Sequence, residues 1–431
     1  MRLSKPFLEF LYPGMRLKRW IFLLLFSAIV MVTGVGGLLG KTFSEYRFHI
    51  KPLRKVERQV RTYIRELRSM DLWLVALGTV GMLFALRRGY YAILTVFIPG
   101  RERQFGRMAY VRARRRRGPR IVAFGGGTGL SSLLTGLKEY TDNLSAVVTV
   151  ADDGGSSGRL RRQFRMPPPG DIRSCLVALA DAEPLMGRLF QHRFSRKGDL
   201  HGHSFGNLFL AALAEVTGDF SSAIAESSRV LAVRGRVIPV SLDLVMLAAR
   251  LKDKRIVRGE SRIATAGSPI DKVMLIPSRA SANPDAVKAL KAADILIFGP
   301  GSLYTSVIPN LLLQEIRAAI AASRALKIYV CNIMTQSGET DGYSAGDHFE
   351  SVCKYLGNGG LKTMIANIER PSPKSLERYR RENSYLVALD EDYLRRRGVR
   401  VIKARLLASN AAYVRHDSVK LSRAIMKFAV I

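Results

Sequence analysis

The first long apolar run of the chain extends from Trp20 to Gly40 without a charged residue. At about 1.5 Å per residue, a helix of this length matches a hydrocarbon core roughly 30 Å thick. A second uncharged run, 72–86, is shorter, and Arg87 and Arg88 separate it from a further apolar stretch. The first run exceeds the apolar region of a cleaved signal peptide and no A-x-A site follows it, so we favour a membrane span over a leader. We predict spans at about 20–40 and 72–86.

Residues 1–100 form a predicted membrane module with two alternative arrangements. One is a transmembrane helical hairpin with both ends in the cytoplasm; the other is a single span followed by a segment lying on the membrane surface. Between the runs, Val56 to Leu67 place apolar residues at helical spacing among arginines, which is typical of an amphipathic interfacial helix. Basic residues number five before the first span and eleven from Arg87 to Arg120, against nine from Lys41 to Asp71. The two flanks together are the more basic, which favours the multi-pass hairpin.

The positive charge is concentrated near the N-terminus. The chain carries a net charge of +33, and residues 1–120 hold 25 basic and 6 acidic side chains. Residues 101–120 are read as a basic juxtamembrane linker attracted to anionic lipid, with a nucleic-acid arm as the alternative. Their position just after the membrane segments favours lipid, and we expect no nucleic-acid partner. Three cysteines without a C-x-x-C spacing fit a reducing compartment and exclude a disulfide framework and a typical zinc site.

From Ile121 onward the pattern changes to short β-branched strands alternating with helices. "IVAF", a helix over "GLSSLLTGLKEY" and the strand "LSAVVTVADD" form a β-α-β unit. This alternation predicts an α/β, Rossmann-like parallel sheet with ligands at the carboxyl ends of the strands. A helical insertion is expected at about 181–233 and a hairpin around Asp253 and Lys254. Further predicted strands are "KVMLIP", "DILIFG" and "KIYVCNIM", and further predicted helices are 284–292 and 309–323.

Two glycine-rich loops, each after an apolar strand, are candidate phosphate sites. The first departs from the dinucleotide pattern G-x-G-x-x-G because Leu130 stands at the third glycine position. A helix beginning near Thr128 would still offer unpaired amides to an anion. The first loop comprises Gly125, Gly126, Gly127, Thr128 and Gly129, and the second includes Gly301, Ser302, Leu303, Tyr304, Thr305 and Ser306.

Polar side chains between these loops supply further candidates. Asp152 and Asp153 end the second strand, where one carboxylate can bind a ribose hydroxyl or a metal ion while the other caps a turn. Asp171 is either a ligand group or a helix N-cap. Other candidates are Arg173, suited to bidentate phosphate recognition, and His203 and Asn207, which are expected to donate hydrogen bonds rather than hold a metal.

Taken in order, "GGGTG", "ADDGGSSGRL", "PPPGDIR", "GHSFGN", "VRGRV", "VRGES", "GPGSLYTS" and "CNIMTQSGETDGYS" resemble the YvcK family of gluconeogenesis factors, which carry a CofD-like domain. The resemblance covers 121–431. It implies a bacterial protein whose domain binds a nucleotide sugar such as UDP-N-acetylglucosamine, with roles in cell shape, cell-wall precursor control and gluconeogenic growth. Combined with the predicted spans, it implies a bacterial cell membrane location with the nucleotide-binding domain in the cytoplasm. The implied ligand residues are those already named together with Arg234 and Asn332.

The related CofD enzymes suggest an alternative function. They transfer a phospholactyl group from a guanosine diphosphate conjugate to a deazaflavin alcohol, with magnesium. Here the segment after the aspartates departs from their D-x-D-like pattern, so we expect a binding and regulatory protein. The alternative is a magnesium-dependent 2-phospholactate transferase with Asp152 and Asp171 as candidate catalytic residues and Asp152 as the candidate metal ligand. Cell-wall synthesis proteins and a second copy of the chain are further candidate partners.

Overall fold

The computed structural model describes residues 17–47, 54–97, 105–181, 183–357, 360–409 and 413–429. In the N-terminal part, side chains are described for 19–39, 69–92 and from Tyr110 onward. The predicted amphipathic pattern from Val56 to Leu67 therefore concerns side chains outside the described residues. The chain divides into two compact units, Met1–Arg112 and Ala113–Ile431.

Two long helices make up the described part of the first unit, α1 (Leu17–Arg47) and α2 (Arg54–Phe97). Each contains a segment long and apolar enough to cross a membrane, Arg19–Leu39 and Ser69–Ala92. The second segment is longer than the predicted 72–86. Arginine is a good helix former, so α2 continues through Arg87 and Arg88 instead of ending before them.

Contacts between α1 and α2 show that the two helices run antiparallel. The rings of Trp20 and Phe84 meet with centroids 5.9 Å apart near one end of the pair. At the other end a Cβ on Gly37 would lie 2.6 Å from Oδ1 of Asp71, so only glycine permits this approach. The helix pair is therefore a closely packed hairpin whose carboxylate, Asp71, is buried.

Helix α3 (Phe105–Arg116) includes much of the predicted basic linker. The guanidinium of Arg115 donates to the carboxylate of Glu139, and its carbonyl oxygen accepts from the Asp142 amide at 3.1 Å. The end of this segment is therefore helical and contacts the domain that follows at Glu139 and Asp142.

The rest of the second unit alternates strands and helices. Its first elements are β1 (Ile121–Gly125), α4 (Gly127–Leu137), β2 (Leu144–Val148), α5 (Gly155–Phe164), α6 (Pro169–Leu179), α7 (Pro184–Gln191), α8 (Phe205–Thr217), α9 (Phe220–Val230) and β3 (Arg236–Pro239). Five helices thus separate β2 from β3 in sequence.

The remaining elements complete the main sheet and add a small one. They are β4 (Met246–Leu251), β5 (Ile256–Arg258), α10 (Glu260–Ile263), β6 (Ile270–Ile276), α11 (Pro284–Ala292), β7 (Ile295–Phe298), a π-helical turn (Leu303–Val307), a 3-10 turn (Ile308–Leu312), α12 (Gln314–Ala322), β8 (Leu326–Val330), α13 (Ala345–Leu356), β9 (Thr363–Asn367), α14 (Pro373–Arg381), α15 (Glu391–Arg396), β10 (Arg400–Ala404) and α16 (Ser418–Ala429).

Seven parallel strands form the main sheet in the order β10-β9-β8-β7-β1-β2-β3, which confirms the predicted α/β fold. Every residue of β1 and β7 is buried, because helices cover both faces of the sheet. Alternate side chains of β1 enter two core layers. Val122 and Phe124 belong to one, where the rings of Phe124 and Phe298 stack 5.2 Å apart, and Ile121 belongs to the other.

The predicted strand "KVMLIP" does not join this parallel sheet. It is β6, an edge of an antiparallel sheet ordered β5-β4-β6 that also contains the predicted hairpin around Asp253. From Val273 to Ile276 buried residues alternate with more exposed ones, as expected where one sheet face meets solvent. The helix predicted at 309–323 is also divided: Pro309 lies in the 3-10 turn, and Leu313 is extended before α12 begins.

Candidate functional site

The first glycine-rich loop turns from β1 into α4 at the carboxyl edge of the main sheet. Gly126 is the N-cap of α4 and supplies no side-chain cap, so amides of the first turn other than that of Gly127, which donates to Asp171, can bind a ligand. Gly127 has a φ of +58° and faces open space. A Cβ on Gly126 would lie 2.3 Å from Oδ2 of Asp171, so this glycine admits the carboxylate beside the loop.

The second glycine-rich loop follows β7, which is the neighbour of β1 in the sheet. A Cβ on Gly129 of the first loop would lie 2.4 Å from the carbonyl oxygen of Pro300. The two loops are therefore in direct backbone contact. Asn332 accepts from the Gly301 amide at 3.4 Å, and Gln336 donates to the Ser302 hydroxyl at 2.8 Å, which fixes the second loop from the next strand connection.

These loops open into a cavity of 730 Å³ at the carboxyl ends of the strands. The position between two adjacent strands whose connections leave in opposite directions is where ligands bind in open α/β sheets. Of the sequence-predicted site residues, the cavity is lined by Gly126, Gly127, Thr128, Gly129, Asp152, Asp171, Gly301, Ser302, Ser306 and Asn332.

Three carboxylates lie on the cavity wall beside the first loop: Asp152, Asp171 and Glu260. Burial, together with the neighbouring Asp152 and Asp171, raises the pKa of Glu260 to about 8. Burial and Asp152 raise the pKa of Asp171 to about 6, although the Gly127 amide opposes this shift. The wall beside the phosphate-loop candidates is therefore acidic and would favour a bound cation.

The described residues contain no group of three His, Cys, Asp or Glu side chains placed to hold a metal ion. A magnesium ion would instead suit the site if it arrived on a nucleotide, since Mg²⁺ commonly takes one or two carboxylates together with substrate phosphates. Asp152 and Asp171 are the side chains nearest to that role, because both face the cavity next to the amide end of α4.

Comparison with known proteins assigns this domain. The family profile described as 2-phospho-L-lactate transferase CofD matches residues 121–407. The chain belongs to the CofD family. Within it, a gluconeogenesis factor from Bacillus subtilis is 46% identical over 304 residues, covering 70% of this chain and 96% of its own length.

Other relatives show how far this CofD-family chain extends. A Nostoc relative is 43% identical over 422 residues, which is 97% of this chain and 92% of its own. The crystal structure of a Bacillus halodurans protein superimposes with a TM-score of 0.70 at 46% identity, covering 72% of this chain and all of that one. The resemblance to the gluconeogenesis factors is confirmed, and the Nostoc alignment necessarily includes much of the N-terminal unit.

Several residues implied by the resemblance lie outside the cavity of this CofD-family domain. The Gly125 carbonyl oxygen accepts from the Thr149 amide at 3.0 Å within the sheet edge. Leu303, Tyr304 and Thr305 are buried beneath the second loop. The hydroxyl of Thr305 donates to the Glu339 carboxylate at 3.1 Å, so this turn supports the loop from below.

Asp153 has a supporting position. Its carboxylate accepts from the Ser261 amide at 3.0 Å and packs against Gly259, where a side chain would collide with it. This contact fixes the start of α10 and so places Glu260 in the cavity. Both aspartates lie in the connection after β2, which ends at Val148, and of the two only Asp152 lines the cavity.

Arg173, His203 and Asn207 belong to a separate polar cluster next to the cavity. The Ser156 hydroxyl lies 3.0 Å from Nδ1 of His203, and Asn207 donates to the same hydroxyl at 3.0 Å. Arg173 packs its side-chain methylenes against Gly206 in the first turn of α8. None of the three lines the cavity; the hydrogen bonds of His203 and Asn207 join α8 and the chain before it to α5, whereas Arg173 of α6 contacts α8 by packing.

Arg234 is placed away from the cavity. Its guanidinium donates to both oxygens of Asp181, the shortest contact being 2.6 Å, and lies 3.6 Å from the carboxylate of Glu139. This ion pair joins the chain after α6 to the chain before β3. The Arg234 amide strengthens the same connection by donating to the Leu179 carbonyl at 2.9 Å. The structure gives Arg234 a role in the fold rather than in the cavity.

The structure adds residues that sequence reasoning missed. Of these, Glu260 has one recognisable feature in the sequence, since it follows a glycine in the "VRGES" segment. The opposite wall comes from α14 and the chain before α16, and no motif marks it. Its cavity-lining residues are Tyr379, Glu382, Ser384, Tyr413, Val414, Arg415 and His416.

Proposed function

We propose that the chain is a membrane-tethered regulatory protein that binds a nucleotide sugar of the UDP-N-acetylglucosamine type. The observation that carries this proposal is the contact between the two glycine-rich loops, which brings the amide end of α4 beside Ser302 and Ser306 in one 730 Å³ cavity. Amides at a helix start together with hydroxyl groups are suited to a diphosphate. The cavity is also within the size range of sites for small ligands.

The acidic wall supports binding of the nucleotide sugar with magnesium. Deprotonated Asp171 and Glu260 would repel a bare diphosphate, whereas a divalent cation between them and the phosphates would turn repulsion into attraction. We therefore expect Mg²⁺ to increase affinity, and to increase it more at about pH 8.5 than at about pH 6. Without Mg²⁺, affinity should fall over the same interval, because both carboxyl groups lose their protons.

Isothermal titration of the full chain in detergent with UDP-N-acetylglucosamine, with and without Mg²⁺, tests this proposal. Arg234→Ala is the matched control. The family resemblance implies Arg234 as a ligand residue, but it lies outside the cavity, so this variant should bind the nucleotide sugar with wild-type affinity. Absence of heat at millimolar ligand, where UDP or GDP alone does bind, would contradict the choice of ligand.

The names of related proteins support the regulatory role. Its relatives carry the name gluconeogenesis factor, and we extend to this chain a role in gluconeogenic growth, cell shape and control of cell-wall precursors. The two apolar helices support tethering to the bacterial cell membrane with the nucleotide-binding domain in the cytoplasm. Nucleotide-sugar occupancy would then be sensed beside the membrane where wall precursors are used.

A second candidate function is a magnesium-dependent 2-phospholactate transfer. It is favoured by the placement of Asp152, Asp171 and Glu260 beside the phosphate-loop candidates, where bound magnesium would neutralise charge developing on a phosphoryl group. It predicts Mg²⁺-dependent release of GMP from a guanosine diphosphate conjugate in the presence of a deazaflavin alcohol. Recovery of the conjugate unchanged after long incubation with that acceptor would exclude this activity and favour the binding role.

A further inference from the structure

The wall of the cavity opposite the glycine-rich loops has a different chemistry from the acidic wall. It presents the rings of Tyr379 and Tyr413 and the guanidinium of Arg415. Tyr413 is 51% exposed although it lines the cavity, so a large part of its ring is available to a ligand. Such a surface offers a planar aromatic face, which diphosphate recognition does not require.

One face of the Tyr413 ring is already covered by protein. The guanidinium carbon of Arg378 lies 4.4 Å from the ring centroid, whereas that of Arg415 is farther away, at 5.7 Å. Nε and Nη2 of Arg378 are buried and find no hydrogen-bond acceptor among the described residues. The Arg378 cation therefore interacts mainly with the Tyr413 ring, while 51% of the Tyr413 surface stays exposed.

The chain next to Tyr413 is held in place by α14. The hydroxyl of Tyr379 accepts from the Val414 amide at 3.1 Å. Leu407 and His416 form an isolated antiparallel bridge, and the Ala408 amide donates to the Arg415 carbonyl at 3.0 Å. The backbone that follows Tyr413 is thus held by two neighbouring segments, and a residue on a fixed backbone loses less freedom when a ligand stacks on it.

We propose that Tyr413, backed by Arg378, is the stacking platform for the nucleobase of the bound ligand. This inference rests on the proposed nucleotide-sugar function and assigns one part of the ligand to one wall. The glycine-rich loops and Ser302 take the diphosphate, and the base lies across the cavity on the exposed face of Tyr413. Stacking on a single ring tolerates any planar base, so Tyr413 contributes affinity and leaves base identity to the polar groups around it.

Titration of full-length variants in detergent with UDP, UDP-N-acetylglucosamine and inorganic pyrophosphate tests the platform. Tyr413→Leu should weaken UDP and UDP-N-acetylglucosamine by the same factor, about tenfold, and leave pyrophosphate unchanged. Tyr413→Phe keeps the ring and should restore most of the affinity. Tyr393→Leu is the matched control, because Tyr393 is a partly exposed tyrosine on α15 that does not line the cavity.

The outcomes separate this inference from the function on which it rests. If the wild type binds both nucleotides and Tyr413→Leu binds them equally well, the platform is wrong and the function stands. A loss confined to UDP-N-acetylglucosamine would place the sugar on Tyr413 and overturn the assignment of the base. If the wild type binds neither UDP nor UDP-N-acetylglucosamine, the proposed ligand itself is overturned. Thermal melting of Tyr413→Leu verifies that any loss arises in a folded protein.

Discussion

Glu260 and Asp152 illustrate what single residues in the sequence can and cannot disclose. Asp152 follows an apolar strand, and a carboxylate at a strand end is a local pattern that the sequence displays directly. Glu260 lies on a four-residue helix distant in sequence, and its place in the cavity depends on long-range contacts such as that of Asp153 with the Ser261 amide. Tyr413 likewise depends on Tyr379 and Arg378 of another helix. Side chains placed by long-range contacts therefore escaped prediction.

Replacing Glu260 by Gln should change how stability depends on pH. The folded protein keeps the Glu260 proton until about pH 8, whereas the carboxyl of an unfolded chain titrates near pH 4.5. Between these values the folded state binds more protons, so wild-type stability falls as pH rises. Glutamine does not ionise, and Glu260→Gln should unfold with about 1–2 kcal/mol more free energy than wild type at about pH 8.5, after allowance for solvent screening.

Urea unfolding of the ligand-free chain at about pH 4 and about pH 8.5 measures this difference. Near pH 4 the two proteins should agree within a few tenths of a kcal/mol, since Glu260 is then protonated in both states. Glu382→Gln serves as control, because Glu382 lines the same cavity but is exposed. Equal pH profiles for wild type and Glu260→Gln would mean that Glu260 is not held protonated by its surroundings.

At the scale of elements, the sequence predicts the strands that carry continuous apolar runs, but it does not predict which strands pair with one another. The strands β1, β2 and β7 are buried on both faces and stand out in the sequence. The sequence does not state that β7 lies beside β1, yet this pairing brings the two glycine-rich loops together. "KVMLIP" was assigned to the wrong sheet for the same reason: an apolar run predicts a strand without naming its partner.

Gly129→Ala tests the contact between the loops. A Cβ there would meet the Pro300 carbonyl at 2.4 Å, so either α4 or the second loop must move, and we expect a loss of roughly 1–3 kcal/mol in stability and weaker nucleotide binding. Gly187→Ala is matched to it: this glycine is also helical, and a Cβ there meets no atom within 4 Å. Because alanine favours helix over glycine, Gly187→Ala should be as stable as wild type or slightly more so.

Thermal melting and nucleotide titration of both variants distinguish a disturbed contact between the loops from the general effect of alanine on helix stability. If Gly129→Ala melts and binds like Gly187→Ala, the two loops have room that the structure does not give them. Gly129 would then be a helix residue without a special packing role. The residues that bind the nucleotide would then have to lie elsewhere on the cavity wall.

At the scale of the whole molecule, the proposed membrane tether raises the question of which side of a membrane each part would occupy. Because α1 and α2 are antiparallel, the start of the first apolar segment and the end of the second lie at the same end of the pair, where Trp20 meets Phe84 and the guanidinium of Arg88 lies 5.9 Å from the Trp20 ring. Arginine and tryptophan at one end are typical of a membrane interface, and the basic flanks favour the cytoplasm. Gly37 packs closely on Asp71 at the other end, so the two helices contact each other along both apolar segments.

A reporter that is active only in the cytoplasm should therefore be active when fused after Ile431 and inactive when fused after Ile50. In the hairpin, the chain between α1 and α2 lies outside the cytoplasm, while both flanks stay inside. In the single-span arrangement, a cytoplasmic C-terminal domain requires the chain after α1 to be cytoplasmic as well, so both fusions would be active. Activity after Ile50 would thus remove the hairpin and leave α1, which alone is long and apolar enough to cross a membrane, as the candidate tether.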